Sequence, residues 1–288
     1  MEIAAPGEDK KKRGPEKVIQ LVSQLHEQMS ASSPPAPAVA FNPLGKPTRF
    51  LLMFVRGSGS TWVQALLNQQ PHFFCGPETT LTPEFFEVAS SSSLIPPNTF
   101  FGYKNKMNHL PDWAQQRILQ TATTQEGGEV TFIFMRRRDV VRHAVGLCRK
   151  NQLAPRQGFW TQHKAGKGNA WSEEHVVGAG AIDVDEFKRE VGFVRDEEAA
   201  LSAFQAQLTA AGIPSLEVWY EDFLADHVEQ LRRVYQWIVG TDAGFVVPSN
   251  IEGAVPVKNT PLDLAQVVTN FDELKAWVAG HTDFTWYD

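Results

Sequence analysis

The stretch RFLLMFVRGSGSTWVQALL, residues 49–67, joins an apolar run, a glycine- and serine-rich turn and a second apolar run. The first run is apolar through most of its length, as in a parallel strand covered on both faces. The second run has the spacing of a helix. A strand, a tight turn and a helix in this order direct backbone N–H groups and a helix N-terminus at one point, which suits a phosphate or a sulfate.

The turn departs from two common catalytic motifs. No Gly-Lys pair follows Gly57 at the distance required in the nucleotide-triphosphate loop, and this disfavours a magnesium-dependent kinase or ATPase. The turn also lacks the G-x-S-x-G pattern of a hydrolase nucleophile elbow. A glycine-rich turn without function is the alternative interpretation of these residues alone.

The rest of the chain alternates short strands with longer helices. Further strands are predicted at 100–104 (FFGYK), 129–135 (EVTFIFM) and 215–220 (SLEVWY). Helical patterns lie at 61–70, 111–123, 138–150 and 186–211, and a later helix face is marked by Leu231, Val234, Tyr235 and Ile238. This alternation predicts an α/β fold, a three-layer sandwich with a central parallel sheet.

The N-terminal part differs in composition from the rest. We expect residues 1–45 to form a tail, with one amphipathic helix at 15–29 and a linker rich in Pro, Ser and Ala. The catalytic domain is expected at 46–288. The polar start lacks the apolar core of a secretory signal, and no run approaches the ~18 apolar residues of a membrane span.

Composition narrows the functional classes. The chain has 288 residues, a formal net charge of -6 and two cysteines. The negative charge argues against a nucleic-acid surface, and two cysteines form no zinc quartet. We therefore expect a cytoplasmic protein without a nucleic-acid or membrane partner; the oligomeric state does not follow from the sequence.

A second basic element, MRRRDVVRHAVGLCRK at 135–150, follows the third predicted strand. Arginines at the end of a buried parallel strand are costly unless they face water or an anion, and guanidinium is well shaped for phosphate. A solvated helix start is the alternative, although cations are disfavoured at a helix N-terminus. The element therefore favours a ligand.

Four stretches in one order carry a family resemblance: VRGSGSTWVQALLNQQP (55–71), FFCGPETTLTPEFF (73–86), RRRDVVRHAVG (136–146) and SLEVWYEDFLADHVEQLRRVYQWIVG (215–240). Together they resemble sulfotransferases that use 3'-phosphoadenosine 5'-phosphosulfate. The motifs are most similar to the trehalose 2-sulfotransferase-like and tyrosylprotein sulfotransferase-like groups. The segment VPVKNTPLDL (255–264) resembles a last family segment in which a lysine approaches the phosphates.

The resemblance implies a function and a set of site residues. It implies transfer of a sulfuryl group from that nucleotide to a hydroxyl of a small-molecule or carbohydrate acceptor, without a metal. Glu78 would be the general base, and Arg56 would assist at the transferring group. The implied nucleotide-binding residues are Arg56, Gly57, Ser58, Gly59, Ser60, Thr61, Trp62, Arg138, Gly146, Tyr220 and Lys258.

Two positions depart from the family pattern. Gly57 stands where the family has Lys or Arg, and the nearest arginine, Arg56, is one place earlier. Gly146 falls where the family has a serine that contacts the 3'-phosphate. These departures keep a non-catalytic nucleotide-binding protein open as an alternative. The other alternative is a P-loop-type nucleotide kinase or hydrolase, which the missing loop lysine disfavours.

The chemistry requires a base, because an attacking alcohol loses its proton. His109, His143 and His163 are the rivals of Glu78, but the sequence places each in a surface or packing position. Irregular residues from Arg156 onward, with two tryptophans and two lysines, are typical of a lid or an acceptor site.

Overall fold

The computed structural model describes residues 48–78, 99–123, 130–157, 180–248, 264–266 and 268–281. These residues contain a five-stranded sheet with the strand order β2-β3-β1-β4-β5, and every pair of neighbours is parallel. The strands are β1 (Thr48–Phe54), β2 (Phe73–Gly76), β3 (Phe100–Asn105), β4 (Val130–Arg136) and β5 (Ser215–Trp219). The predicted α/β class with a central parallel sheet is confirmed.

Helices cover both faces of this sheet. They are α1 (Ser60–Leu67), α2 (Asp112–Thr123), α3 (Val140–Gln157), α4 (Val184–Ala210), α5 (Tyr220–Ala225), α6 (His227–Val239) and α7 (Phe271–Ala279). Two short 3-10 helices lie at Met107–His109 and Leu264–Gln266. Asp183 caps α4 and Asp226 caps α6, each through a carboxylate oxygen that accepts a backbone N–H.

Strand β1 shows how the three layers form. Its residues alternate in side, as a strand requires. Phe50, Leu52 and Phe54 pack in one cluster with apolar residues of α1 and α6. The residues between them, such as Leu51 and Met53, pack in a second cluster with residues of α2 and α4. Both faces of the sheet are therefore buried, which explains the continuous apolar run of this strand.

The parallel pairing brings the carboxyl ends of all five strands to one edge of the sheet. In open α/β sheets, ligands bind outside this edge. The residues that follow the strands there are the 55–59 loop after β1, Glu78 after β2, Lys106 after β3, Arg137 after β4 and Tyr220 after β5. The described parts of the four stretches that carry the resemblance thus reach the same edge.

Most predicted elements are present, and α3 continues to Gln157, seven residues past its predicted end. Strand β2 and helices α5 and α7 were not predicted. The segment FFCG of β2 is short, but it pairs with β3 in register and its four residues are buried. The predicted tail helix, Lys258 and most of the irregular segment after Arg156 lie outside the described residues. Within the described part of the chain, no helix is both long enough and apolar enough to cross a bilayer.

A glycine in the sheet provides a test of this packing. A Cβ at Gly102 would lie 2.4 Å from ring atoms of Phe50, which is its register partner in β1. We therefore expect Gly102→Ala to lower the free energy of unfolding by roughly 1–3 kcal/mol, as overpacking does. Gly192→Ala is the matched control, because Gly192 lies in α4 with nothing within 4 Å of its Cβ position. It should raise stability by roughly 0.5–1 kcal/mol. Urea unfolding followed by circular dichroism measures both, and equal effects of the two substitutions would contradict the described core.

Candidate functional site

The loop between β1 and α1 has a backbone suited to an anion. Gly57 has a φ of 77° and Gly59 a φ of 88°, a region that glycine adopts without steric cost. The turn itself uses two N–H groups: Ser58 donates to Val55 O at 3.0 Å, and Trp62 donates to Gly59 O at 2.9 Å. Four other N–H groups of the loop have no acceptor among the described residues. They belong to Gly57, Gly59, Ser60 and Thr61. These groups are available to an anion at the start of α1.

Close packing fixes the shape of this loop. A Cβ at Gly59 would lie 2.6 Å from the Tyr220 ring, and a Cβ at Gly57 would lie 3.0 Å from Leu147 and 3.1 Å from His143. The loop after β1 is thus pressed between the turn after β5 and helix α3. Gly59 is required by its surroundings as well as by its φ angle, whereas Gly57 is required mainly by its φ angle.

The side chains of the loop differ in how they can contribute. Ser58 and Ser60 are buried, and Ser58 Oγ has no hydrogen-bond partner among the described residues. Trp62 is 5% exposed and packs against Phe223 at 6.0 Å between ring centroids. The Trp62 ring therefore belongs mainly to the core, while the partly exposed Thr61 presents its hydroxyl at the edge.

Lys104 supplies the cation that the loop sequence lacks. It lies near the end of β3, only 6% exposed, and its Nζ donates to Thr61 Oγ1 at 2.6 Å. Burial lowers the pKa of Lys104 to about 8, and the nearby charges of Lys106 and Lys150 act in the same direction. A buried ammonium group whose hydrogen-bond partner is a hydroxyl favours the approach of an anion.

Glu78 lies beside two basic groups. Its Oε1 is 2.8 Å from Lys106 Nζ and 2.9 Å from His109 Nδ1, and its side chain is 28% exposed. Glu78 also acts electrostatically on Lys104, which contacts Thr61. A carboxylate, a buried lysine and the anion loop therefore lie at the same part of the edge.

Arg56 points its charge at helix α4. Its Nη2 is 2.9 Å from Glu190 Oε2, its Nε is 3.5 Å from Glu197 Oε1, and its guanidinium lies 4.9 Å from the ring centre of Phe193. The backbone of Arg56 is held as well: its N–H donates to Glu197 Oε2 at 3.0 Å, and its carbonyl oxygen is 2.5 Å from His143 Nε2. Two carboxylates thus compensate the charge that sequence reasoning directed at the ligand.

Arg136, the last residue of β4, is a structural residue. Arg136 is 5% exposed, and its guanidinium donates to Glu198, to Ser202 Oγ at 3.0 Å and to Gln205 Oε1 at 2.7 Å. Its Nε is 2.9 Å from Glu217 Oε2. Arg136 therefore joins β4 to α4 and β5 and is not at the ligand side.

The next two arginines face the turn that follows β5. Arg138 makes a bidentate pair with Asp222 at 2.6 and 2.9 Å, and this hydrogen bonding lowers the pKa of Asp222. Arg137 lies 4.6 Å from the ring centre of Tyr220, and its Nε is 3.7 Å from Glu221 Oε1. The Tyr220 ring also lies beside Gly59 of the loop. Arg137 is therefore nearer to the loop than its place in the sequence motif indicated.

Of the remaining predicted residues, Gly146 lies on α3 and contributes no side chain. His143 is a packing residue, as expected. Burial and the charge of Arg137 lower its pKa to about 3, so the ring is neutral and its Nε2–H donates to Arg56 O. His109 departs from expectation, because it contacts Glu78 directly.

Sequence reasoning missed Lys106, and it gave Lys104 only as a residue that could reach the donor or the acceptor. A signal was present, since a lysine directly after FFGY ends an otherwise apolar strand and must face a ligand, a carboxylate or water. The partner of Lys104, however, comes from a different strand and helix, and no local spacing specifies that contact.

Similarity to known proteins is limited to structure. No family model matches the chain. No curated protein is significantly similar to it in sequence. A crystal structure of a sulfotransferase from Alicyclobacillus acidocaldarius is similar over 81% of this chain and 93% of that chain, with 15% identity and a TM-score of 0.41. At this level the similarity assigns no function, and the fold class rests on the sheet described above.

The titration of Lys104 gives a test of the anion site. Because burial lowers the pKa of Lys104 to about 8, affinity for sulfate should fall as pH rises through this value. The unfolded chain titrates near 10.5, so the same group makes the folded state more stable as pH rises in this window. Sulfate itself does not titrate there. Calorimetric titration between about pH 7 and pH 9 measures the effect.

Lys104→Arg is the matched control, because guanidinium stays charged over the same range. The pH dependence of sulfate binding should disappear in this variant. An unchanged pH profile in Lys104→Arg would show that another group controls the site.

Proposed function

We propose that this protein is a sulfotransferase that moves a sulfuryl group from 3'-phosphoadenosine 5'-phosphosulfate to a hydroxyl of a small-molecule or carbohydrate acceptor. One observation carries the proposal: Glu78, Lys104 and the anion loop are linked at one edge of the sheet. Lys104 contacts Thr61 of the loop at 2.6 Å and is within the electrostatic reach of Glu78. A base beside an anion site is what transfer to an alcohol requires.

The anion loop and Lys104 suit the phosphosulfate end of the donor. The backbone N–H groups of the loop, the Thr61 hydroxyl and the Lys104 ammonium would contact the phosphosulfate oxygens. Sulfuryl transfer resembles phosphoryl transfer in that the protein mainly aligns the partners and stabilises negative charge spread over oxygens. A prearranged ring of donors meets this need, because it costs no reorganisation during the reaction.

The proposed reaction replaces one oxygen–sulfur bond with another. The acceptor oxygen forms a bond to sulfur while the bond between sulfur and the 5'-phosphate oxygen breaks. The acceptor proton goes to Glu78, and adenosine 3',5'-bisphosphate leaves with the electron pair of the broken bond. Lys104, which contacts Thr61 at the start of α1, would stabilise the charge that develops on the leaving phosphate.

A second basic site would hold the 3'-phosphate. Arg138 is the residue that the sequence resemblance assigns to it, and Tyr220 and Arg137 lie beside it at the turn after β5. Gly146 and Lys258 belong to the same proposal, although Lys258 lies outside the described residues. Arg138 would exchange its pairing with Asp222 for the phosphate.

The two-site proposal predicts the effect of removing Arg138. A charge-assisted hydrogen bond to phosphate contributes roughly 1.5–3 kcal/mol, so Arg138→Ala should weaken bisphosphate binding by about 10- to 100-fold. Arg232, whose side chain is 37% exposed and pairs with Glu229 on α6, provides the matched control, and Arg232→Ala should bind normally. Isothermal titration with adenosine 3',5'-bisphosphate, and with magnesium ATP as comparator, makes the measurement. Equal affinity for both ligands in the parent would favour a nucleotide kinase, and a silent Arg138→Ala would move the 3'-phosphate site to Arg137.

Glu78→Gln tests the catalytic proposal directly. It keeps the size of the side chain and removes its basicity, so turnover should fall roughly 10²- to 10⁴-fold while donor affinity stays nearly constant. Turnover is measured as sulfuryl addition by mass spectrometry, with labelled donor and a panel of sugars, phenols and small alcohols. A melting curve of the variant must match that of the parent.

His109→Gln tests which member of the Glu78–His109 pair is the base. If Glu78 is the base, His109→Gln should cost much less than Glu78→Gln. A larger loss in His109→Gln would make the imidazole the base and Glu78 the residue that orients it. Turnover equal to that of the parent in both variants would show that neither Glu78 nor His109 is the base.

A further inference from the structure

Arg56 is the most restrained residue of the anion loop. Three side chains of α4 surround its guanidinium: Glu190, Phe193 and Glu197. They are spaced three and four residues apart and therefore share one face of the helix. We call these three residues the α4 clamp.

The clamp reaches the backbone of the loop as well as its side chain. Glu197 Oε2 accepts the N–H of Arg56 at 3.0 Å, while Glu197 Oε1 lies 3.5 Å from the Nε of the same residue. On the other side of the peptide, the neutral His143 donates to the Arg56 carbonyl at 2.5 Å. Arg56 is thus fixed at its N–H, its carbonyl and its guanidinium, directly before the left-handed Gly57.

The charges of the clamp are unfavourable for an anion site. Its two carboxylates face one guanidinium, and both are largely buried, with side-chain exposures of 8% for Glu190 and 15% for Glu197. Buried carboxylates are costly, and behind a loop that binds an anion they also repel the ligand. Their electrostatic effect opposes binding, whereas their geometric effect fixes the loop.

We propose that Glu197, supported by Glu190, is a positioning residue that sets the anion loop through Arg56. Arg56 then acts by holding the loop and does not contact the transferring group. This inference rests on the proposed function only in taking the loop as the donor's anion site. It assigns to α4 a role that no motif of the loop reveals.

The direction of the affinity change distinguishes this role from simple proximity. If Glu197 positions the loop, Glu197→Ala should weaken binding of adenosine 3',5'-bisphosphate by about tenfold or more, because a charge-assisted contact to the loop is lost. If Glu197 is only a nearby negative charge, or if Arg56 is a donor ligand held back by the clamp, Glu197→Ala should tighten binding. Glu197→Gln should bind better than Glu197→Ala, since its amide oxygen still accepts the Arg56 N–H.

Asp196→Ala is the matched control, because it removes the same charge from the neighbouring, exposed position of α4. It should leave affinity within about twofold of the parent, as an exposed and screened charge does. Donor KM should rise in Glu197→Ala while kcat at saturating donor stays close to that of the parent. Tighter binding in Glu197→Ala would overturn the proposal.

A double-mutant cycle tests whether Glu197 acts through Arg56. Once Arg56→Ala is present, adding Glu197→Ala should change affinity little, because the coupled partner is already absent. Full additivity of the two effects would overturn the proposal. Melting curves of all variants show that only folded protein is compared, and Glu197→Gln serves where Glu197→Ala does not fold.

Sulfate separates failure of this inference from failure of the proposed function. A parent protein that binds sulfate but not the bisphosphate would contradict the proposed donor, and the same variants tested with sulfate would still decide the role of Glu197. A parent that binds neither anion would overturn both proposals.

Discussion

The parallel pairing of β1 with both β3 and β4 is the constraint on which the site depends. It places the loop after β1 between the ends of its two neighbours, with Lys104 near the end of β3 on one side and Arg137 directly after β4 on the other. In this register Lys104 of β3 lies opposite Leu52 of β1, and a shift by one residue would turn every side chain of β3 to the opposite face, so the strand pairing also fixes the position of Lys104. The packing of the core thereby determines the spacing of the charged groups at the edge.

Buried charge along this edge is compensated in different ways. Arg136 is surrounded by carboxylates and amide or hydroxyl oxygens of the protein, and Arg56 by two carboxylates of α4. These groups serve the structure. Lys104 differs, because among the described residues its only polar contact is the hydroxyl of Thr61. The lowered pKa of Lys104 expresses this incomplete compensation, and a bound anion would remove it.

The sequence was informative where local patterns specify structure. The apolar runs predicted four strands, and the turn chemistry after β1 predicted a loop with two special glycines. Strand β2 was not predicted, because four residues give no period and its place at the sheet edge depends on pairing with β3. The direction of Arg56 was not predictable either, since its carboxylate partners on α4 lie far along the chain. Contacts between elements that are far apart in the sequence determine both the place of β2 and the direction of the Arg56 side chain.

The contact between Gly59 and Tyr220 has a consequence for how this protein can evolve. The ring of Tyr220 occupies the space that any side chain at position 59 would need. A lineage that keeps the tyrosine must therefore keep the glycine, whereas replacement of the ring by a small residue leaves only the positive φ to restrict position 59. Substitutions at these two positions should consequently appear together among descendants, and the order is fixed: the aromatic ring must be lost first.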